Sequence, residues 1–217
     1  QLFREAGLDP NDPPDNWKEL REHSEILTKR NKAGDLTHVG FVPYINFGNT
    51  WLYLYGWQKG VDFLDEETMQ ANLNDPKLVE ALEWINDFVE FYGPEDLKNF
   101  QSGFGTKELD PFLRGQLGMI GEEVFMLSRI KRYAPDLDFG TAPMPWPEDG
   151  QHATWSGGFS MIVPAGAEDV PEIMDFIAYM CGREAQNKYG KVAGQLPANK
   201  LATEDPFFQD DPAEGVE

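Results

Sequence analysis

Cysteine is nearly missing from this 217-residue sequence, where Cys181 stands alone. One thiol excludes an internal disulfide and any cysteine-rich zinc site. It lies in an apolar helical pattern, so a buried, inert thiol is expected. No run of about 18 apolar residues occurs, which leaves no candidate membrane-spanning helix. No basic-then-apolar N-terminal stretch occurs either, so no signal peptide is expected within these residues. Bases are scarce: 18 Lys and Arg face 38 Asp and Glu, for a net charge of −20. Such a chain repels a phosphate backbone, which disfavours nucleic-acid binding. High negative charge also favours solubility, and a high-salt habitat is one cause of it. His23, His38 and His152 are scattered without metal-ligand spacing. There is no phosphate-cradling glycine loop and no serine-centred nucleophile elbow. Gly103-Phe104-Gly105 lacks the lysine and the preceding strand such a loop needs. No cofactor and no metal is expected.

What is present is a core: 41% of residues are hydrophobic and 13% aromatic, enough for one large domain or two small ones. The Asp9–Asp15 stretch is rich in acids and prolines, but it lacks the terminal glutamate of a calcium loop and reads as a turn before a helix. Asn16 is placed as the N-cap, with Glu19 as its capping-box partner. Trp17, Leu20, Ser24 and Leu27 then recur at helical spacing, predicting an amphipathic helix over 17–30. A short strand is predicted over 39–42. The aromatic run 51–57 reads as a buried helix with Trp51, Leu54 and Tyr55 on one face, and 61–73 as a small hairpin. Asp75-Pro76 opens a long helix, by capping and by a first-turn proline, that Gly93 ends. A short helix over 94–100, a joint at 102–105 and a helical turn at 111–114 follow. Strand 117–121, helix 122–133 and strand 138–144 imply a right-handed crossover onto a shared sheet. Helices are predicted over 170–181 and 183–189. The acidic end, 204–217, reads as loosely held.

One stretch stands apart: Thr154-Trp155-Ser156-Gly157-Gly158-Phe159-Ser160-Met161-Ile162-Val163-Pro164. The two glycines allow unusual backbone angles and close approach by another group. Phe159–Val163 reads as a strand buried on both faces. Together they suggest a seam where the chain leaves one compact body for another.

A set of motifs in order carries a resemblance: Ala6-Gly7-Leu8-Asp9-Pro10 and Trp17-Lys18-Glu19-Leu20, then Gly48-Asn49-Thr50-Trp51, Asn74-Asp75-Pro76 and Asp110-Pro111-Phe112. Gly115-Gln116-Leu117-Gly118-Met119, Ala142-Pro143-Met144-Pro145, Thr154–Gly158 and Leu196-Pro197-Ala198-Asn199-Lys200 complete it. The sequence resembles the extracellular solute-binding proteins of ATP-driven carbohydrate importers, the maltodextrin-binding-protein-like group. The resemblance implies an α/β, periplasmic-binding-protein-like (type II) two-lobe fold. It also implies a fragment consisting mainly of the C-terminal lobe. In that scheme residues 1–153 form the second lobe, 154–164 a hinge crossing strand, and 165–217 a returning part of the first lobe with a connector. The implied partners are a carbohydrate ligand and a membrane permease, and the implied location is extracellular, periplasmic or anchored at the cell surface. The helix over 170–181 is then expected to expose apolar surface and to invite self-association.

Sugar sites need flat apolar faces for pyranose C–H surfaces and planar polar groups for hydroxyls. The loop holding Phe47, Asn49 and Trp51 offers both, although Trp51 also suits a core and Asn49 a helix cap. Glu123 and Phe125 stand where the family carries a glycine and, two residues on, a tryptophan. Phe125 can stack on a sugar or pack in the core; Glu123 can accept sugar hydroxyls or favour a helix N-terminus. Trp155, with the bare backbone of Gly157 and Gly158, is the leading candidate for ligand contact, the alternative being a tryptophan that packs two bodies together. Trp146 reads as a surface aromatic. A glycosidase would need paired carboxylates across a bond. Glu122 and Glu123 are adjacent and point about 100° apart on a helix, so a non-catalytic receptor is favoured over a carbohydrate-active enzyme and over a pure interaction domain.

Overall fold

The computed structural model describes residues 1–44, 50–102 and 109–209. The candidates Phe47 and Asn49, the joint expected at 102–105 beyond Ser102, and the acidic end from 210 onward lie outside the described residues. The chain groups into two compact units. The first comprises Gln1–Gly121 and Asp136–Ser156, the second Glu122–Pro135 and Gly157–Glu217. The last change of unit falls at Ser156/Gly157, inside the predicted seam, whereas 122–135 group with the second unit.

In the first unit, helix α1 (Leu2–Ala6) leads to α2 (Trp17–Leu27). The Asn16 side chain accepts from the Glu19 amide at 2.9 Å, and Glu19 reaches back to the Asp15 amide. Strands β1 (Lys29–Arg30) and β2 (Leu36–Phe41) follow, then α3 (Thr50–Gln58), the hairpin β3 (Leu64–Asp65) and β4 (Gln70–Ala71), α4 (Pro76–Tyr92), α5 (Pro94–Gln101) and β5 (Leu117–Met119). The sheet order is β1-β2-β5, with β1 antiparallel and β5 parallel to β2. Asp75 caps α4 through the Lys77 amide, and Pro76 occupies its first turn, where a missing N–H costs nothing.

Two clusters form the core of this unit. Leu20, Val39, Phe41, Phe88, Tyr92, Leu97 and Leu117 pack between α2, α4, α5 and the sheet. Trp17, Tyr55, Ala81 and Ile85 form the second, between α2, α3 and α4. Burying one side chain such as Phe88 contributes about 1.5–3 kcal/mol. The approach of β2 to α2 explains a glycine in the strand: a Cβ on Gly40 would stand 2.2 Å from the Ser24 carbonyl oxygen. The Tyr92 hydroxyl ties these layers together, meeting Ser24 Oγ at 2.6 Å and donating to the Phe41 carbonyl at 2.8 Å.

The second unit holds α6 (Phe125–Tyr133), α7 (Val170–Cys181), α8 (Arg183–Ala193), α9 (Lys200–Thr203) and a 3-10 turn (Pro206–Phe208). Met126 and Ile130 are the buried residues of α6, and Val124 precedes the helix and is exposed. No residue of α7 is buried: Met174, Phe176 and Tyr179 are each half-exposed or more, as the resemblance led one to expect.

Three expectations are corrected. Residues 138–144 form no strand; the one pairing nearby is an isolated parallel bridge from Asn16 to Trp146. Pro143, Pro145 and Pro147 have no N–H to give a ladder, so the predicted crossover onto a shared sheet is not made. Phe159–Val163 likewise forms no strand, with Phe159 94% and Ile162 80% exposed. Among the described residues no strand lies alongside to pair with it. Cys181 is exposed rather than buried, because the helix that carries it has no covered face in this chain.

Candidate functional site

Helix α3 carries two aromatic faces. Tyr55 and Gln58 point into the core. The Tyr55 hydroxyl donates to the Pro43 carbonyl at 2.7 Å, and burial raises its pKa far above the usual phenol value. Gln58 is fully buried and doubly used: its carbonyl oxygen accepts from the Trp17 indole at 3.0 Å, and its amide donates to the Pro145 carbonyl at 3.0 Å. The backbone oxygen of Gln58 accepts from the Gln151 amide at 2.7 Å. A Cβ on Gly150 would stand 2.3 Å from that same oxygen, so only glycine lets the 145–151 loop lie against the end of α3.

This anchoring fixes the rotation of α3 and the path of the chain leading to Trp155. Tyr53 and Trp57, one turn apart on the other face, are both half-buried. Trp155 joins them. Its ring lies 5.8 Å from Trp57 at an interplanar angle of 19°, and 6.3 Å from Tyr53 at 24°. Tyr53 and Trp57 are themselves 5.7 Å apart at 28°. Three rings therefore run nearly parallel. Phe63, just before β3, meets Tyr53 edge-on at 4.9 Å and closes the group from one side.

Next to this group in sequence, Lys59 is buried, its ammonium held by Glu80 at 2.8 Å and Asp149 at 2.7 Å. Burial opposes its charge, but the hydrogen bonds to Asp149 and Glu80 prevail and leave its pKa raised. The same contact holds the Asp149 carboxyl below the ordinary carboxylate range.

The other sequence candidates lie elsewhere. Trp51 leans on Tyr44, with ring centroids 5.5 Å apart, and packs beside the Trp17–Tyr55 cluster. In the second unit, Phe125 begins α6 half-buried, so Glu122 and Glu123 precede the helix rather than open it. Gly158 does not use the freedom expected of it: its backbone is not left-handed, and a Cβ there would meet nothing within 4 Å. Gly157 and Glu123 are exposed. Tyr53, Trp57 and Phe63 were not singled out from the sequence. The signal was available in the four-residue spacing of Tyr53 and Trp57, but Tyr55 and Trp51 claimed the one face considered. Among the described residues no cluster of His, Cys, Asp and Glu could hold a metal ion.

Residues 2–215 match the family model of the bacterial extracellular solute-binding proteins. The chain belongs to that family. This solute-binding chain is 25% identical over 210 residues to a binding protein of Brucella abortus (strain 2308), covering 92% of this chain and 47% of the relative. It is 24% identical over 240 residues to the sn-glycerol-3-phosphate-binding periplasmic protein UgpB of Yersinia pseudotuberculosis, covering 100% of this chain and 50% of that one. Among solved structures, CpMnBP1 with mannobiose bound superposes with a TM-score of 0.79 at 25% identity, over 99% of this chain and 55% of that one. Maltose-bound MalE3 of T. maritima, at 21% identity and a TM-score of 0.70 over 96% of this chain and 53% of that one, agrees in fold. The fold is thus the α/β, type II periplasmic-binding-protein class, and the solute-binding chain spans about half the length of the relatives it matches. These relatives are binding proteins rather than enzymes.

Proposed function

We propose that this chain supplies part of the saccharide-binding receptor subunit of an ATP-driven importer. The three near-parallel rings of Tyr53, Trp57 and Trp155 form an apolar platform for pyranose C–H faces. Within the second unit, Phe125, Glu123 and the backbone of Gly157 and Gly158 are the candidates for sugar contact. Residues 154–164 act as the hinge between 1–153 and 165–217, and the closed form is presented to the membrane permease. The protein works outside the cytoplasm, in the periplasm or at the cell surface, and performs no catalysis. The observation that carries this reading is the aromatic triplet, half-buried and built around Trp155. Family membership and the mannobiose-bound relative support it.

Titration with mannobiose and with maltose, followed by tryptophan fluorescence, tests it. One of them is expected to shift the emission, and Trp155→Ala to weaken that response by about tenfold or more, the scale of one lost stacking contact. An unchanged response in Trp155→Ala would sink the platform assignment. The competing enzyme reading uses Glu122 and Glu123; sugar release by the wild type, abolished in Glu123→Gln, would establish it instead.

A further inference from the structure

Two glycines, one inside α3 and one just past its end, let neighbours close in beside the aromatic platform. Counted on from Tyr53 by four and then three residues, the face that carries Tyr53 and Trp57 ends at Gly60. Gly60 has a φ of 74° and closes the helix. Its amide donates to the Trp57 carbonyl at 2.9 Å, and the Val61 amide to the Gly56 carbonyl at 2.8 Å. At Gly56 a Cβ would stand 2.3 Å from the Phe63 ring, so that ring lies directly on the backbone while it meets Tyr53 and Trp57 edge-on. At Gly60 the neighbour is a cation: a Cβ there would stand 3.8 Å from the ammonium of Lys77, which reaches over from the first turn of α4. Lys77 is exposed, and among the described residues it makes no ion pair. Glu80, one turn on from it, and Asp149 are both held by Lys59, at 2.8 and 2.7 Å. One ammonium is thus spent on two carboxylates, and the other stands free at the end of the aromatic face. Such a head is a compact point charge of the kind that binds phosphate and carboxylate oxygens.

We infer that Lys77 is a specificity-determining residue of the Trp155 platform, and that the saccharide stacked there carries an anionic group, a carboxylate or a phosphate, which this ammonium receives. The inference rests on the sugar-receptor reading and adds a charged group to the ligand that reading names. The rings hold the C–H face of a pyranose, and the lysine reads what the ring bears at its edge. The chain's overall charge of −20 does not cancel this. A contact charge acts over a few ångströms, whereas acids spread over the surface are screened beyond about 8 Å at physiological ionic strength.

The test uses this chain at about pH 8, where a sugar phosphate is a dianion. It is titrated with mannobiose and maltose, with the 6-phosphate of each, and with each disaccharide oxidised at its terminal C6 to the uronate. Tryptophan emission and calorimetry are the readouts. The acidic forms are expected to bind at least about threefold tighter than their neutral parent at about 50 mM salt, the scale of an exposed ion pair, with the gain fading by about 500 mM. Lys77→Gln brings the ratio of acidic to neutral affinity to about one, and Lys77→Arg, which keeps the charge, restores it. The series with the larger gain, phosphate or carboxylate, identifies the source of the anion. No gain in either series, or a gain that persists in Lys77→Gln, overturns the inference, while binding of the neutral sugar leaves the receptor reading standing. No response to any of the saccharides overturns the receptor reading itself, and this inference with it.

Discussion

The Trp17 indole N–H and the Gln58 carbonyl oxygen meet at 3.0 Å inside the core, 41 residues apart in sequence. With the second bond from Gln58 to Pro145, this pair sets how α3 is rotated and so which aromatic residues face outward. Gln58→Ala removes both bonds and leaves an indole N–H and a carbonyl unpaired in an apolar setting. A loss of about 2–4 kcal/mol is expected. Urea unfolding monitored by tryptophan emission measures it, and a loss under about 0.5 kcal/mol, typical of an exposed site, would show that the pair is not holding the helix.

Tyr92 offers a cleaner deletion. Its hydroxyl touches Ser24, accepts from the Phe41 amide and donates to the Phe41 carbonyl. Tyr92→Phe keeps the packing and strands three polar groups, so about 1–3 kcal/mol should be lost. A midpoint equal to the wild type in the same urea series would argue that the ring alone matters.

Acid should weaken the first unit in a predictable order. Asp149 is held below the ordinary carboxylate range by the Lys59 hydrogen bond, and Asp138 by its hydrogen bond from Arg4. A depressed folded-state pKa contributes stability above the unfolded value of about 3.9, and that contribution fades as pH falls through the folded value. Stability contributed by these pairs should hold from neutrality down to about pH 5, then drop below about pH 4. Asp149→Asn should flatten the drop, read as thermal midpoint against pH; a steeper drop in that variant would contradict the assignment.

The uncovered face of α7 predicts association. Met174, Phe176 and Tyr179 are exposed on one helix with no buried residue. Sedimentation at rising concentration should show self-association of this chain, reduced in Phe176→Glu with helix content unchanged. A monodisperse monomer at every concentration would count against it.

Helix ends were the most legible part of the sequence, because they depend on local chemistry. Asn16 with Glu19, and Asp75 with Pro76, announce α2 and α4 within the chain's own few residues, and the structure places the caps there. Strands were less legible because a strand is defined by its neighbour. Val39 and Leu117 pair and were found, whereas the apolar run at 159–163 has the composition of a strand without a partner. Trp155 was readable as a site candidate from its setting beside two glycines. Its companions Tyr53 and Trp57 were not, since their approach depends on the Gln58 anchor and on Gly150, contacts that link parts of the chain some ninety residues apart.

Among the described residues, no backbone amide from 152 to 163 donates a hydrogen bond. Twelve consecutive amides in that state should exchange with solvent far faster than those of α4. A ligand that orders this stretch must offset about 1 kcal/mol for each residue it fixes. A dissociation constant for any ligand that orders this stretch would therefore gauge the chain's entropy as well as the ligand's fit, and stiffening the backbone here should tighten such binding without touching a single ring.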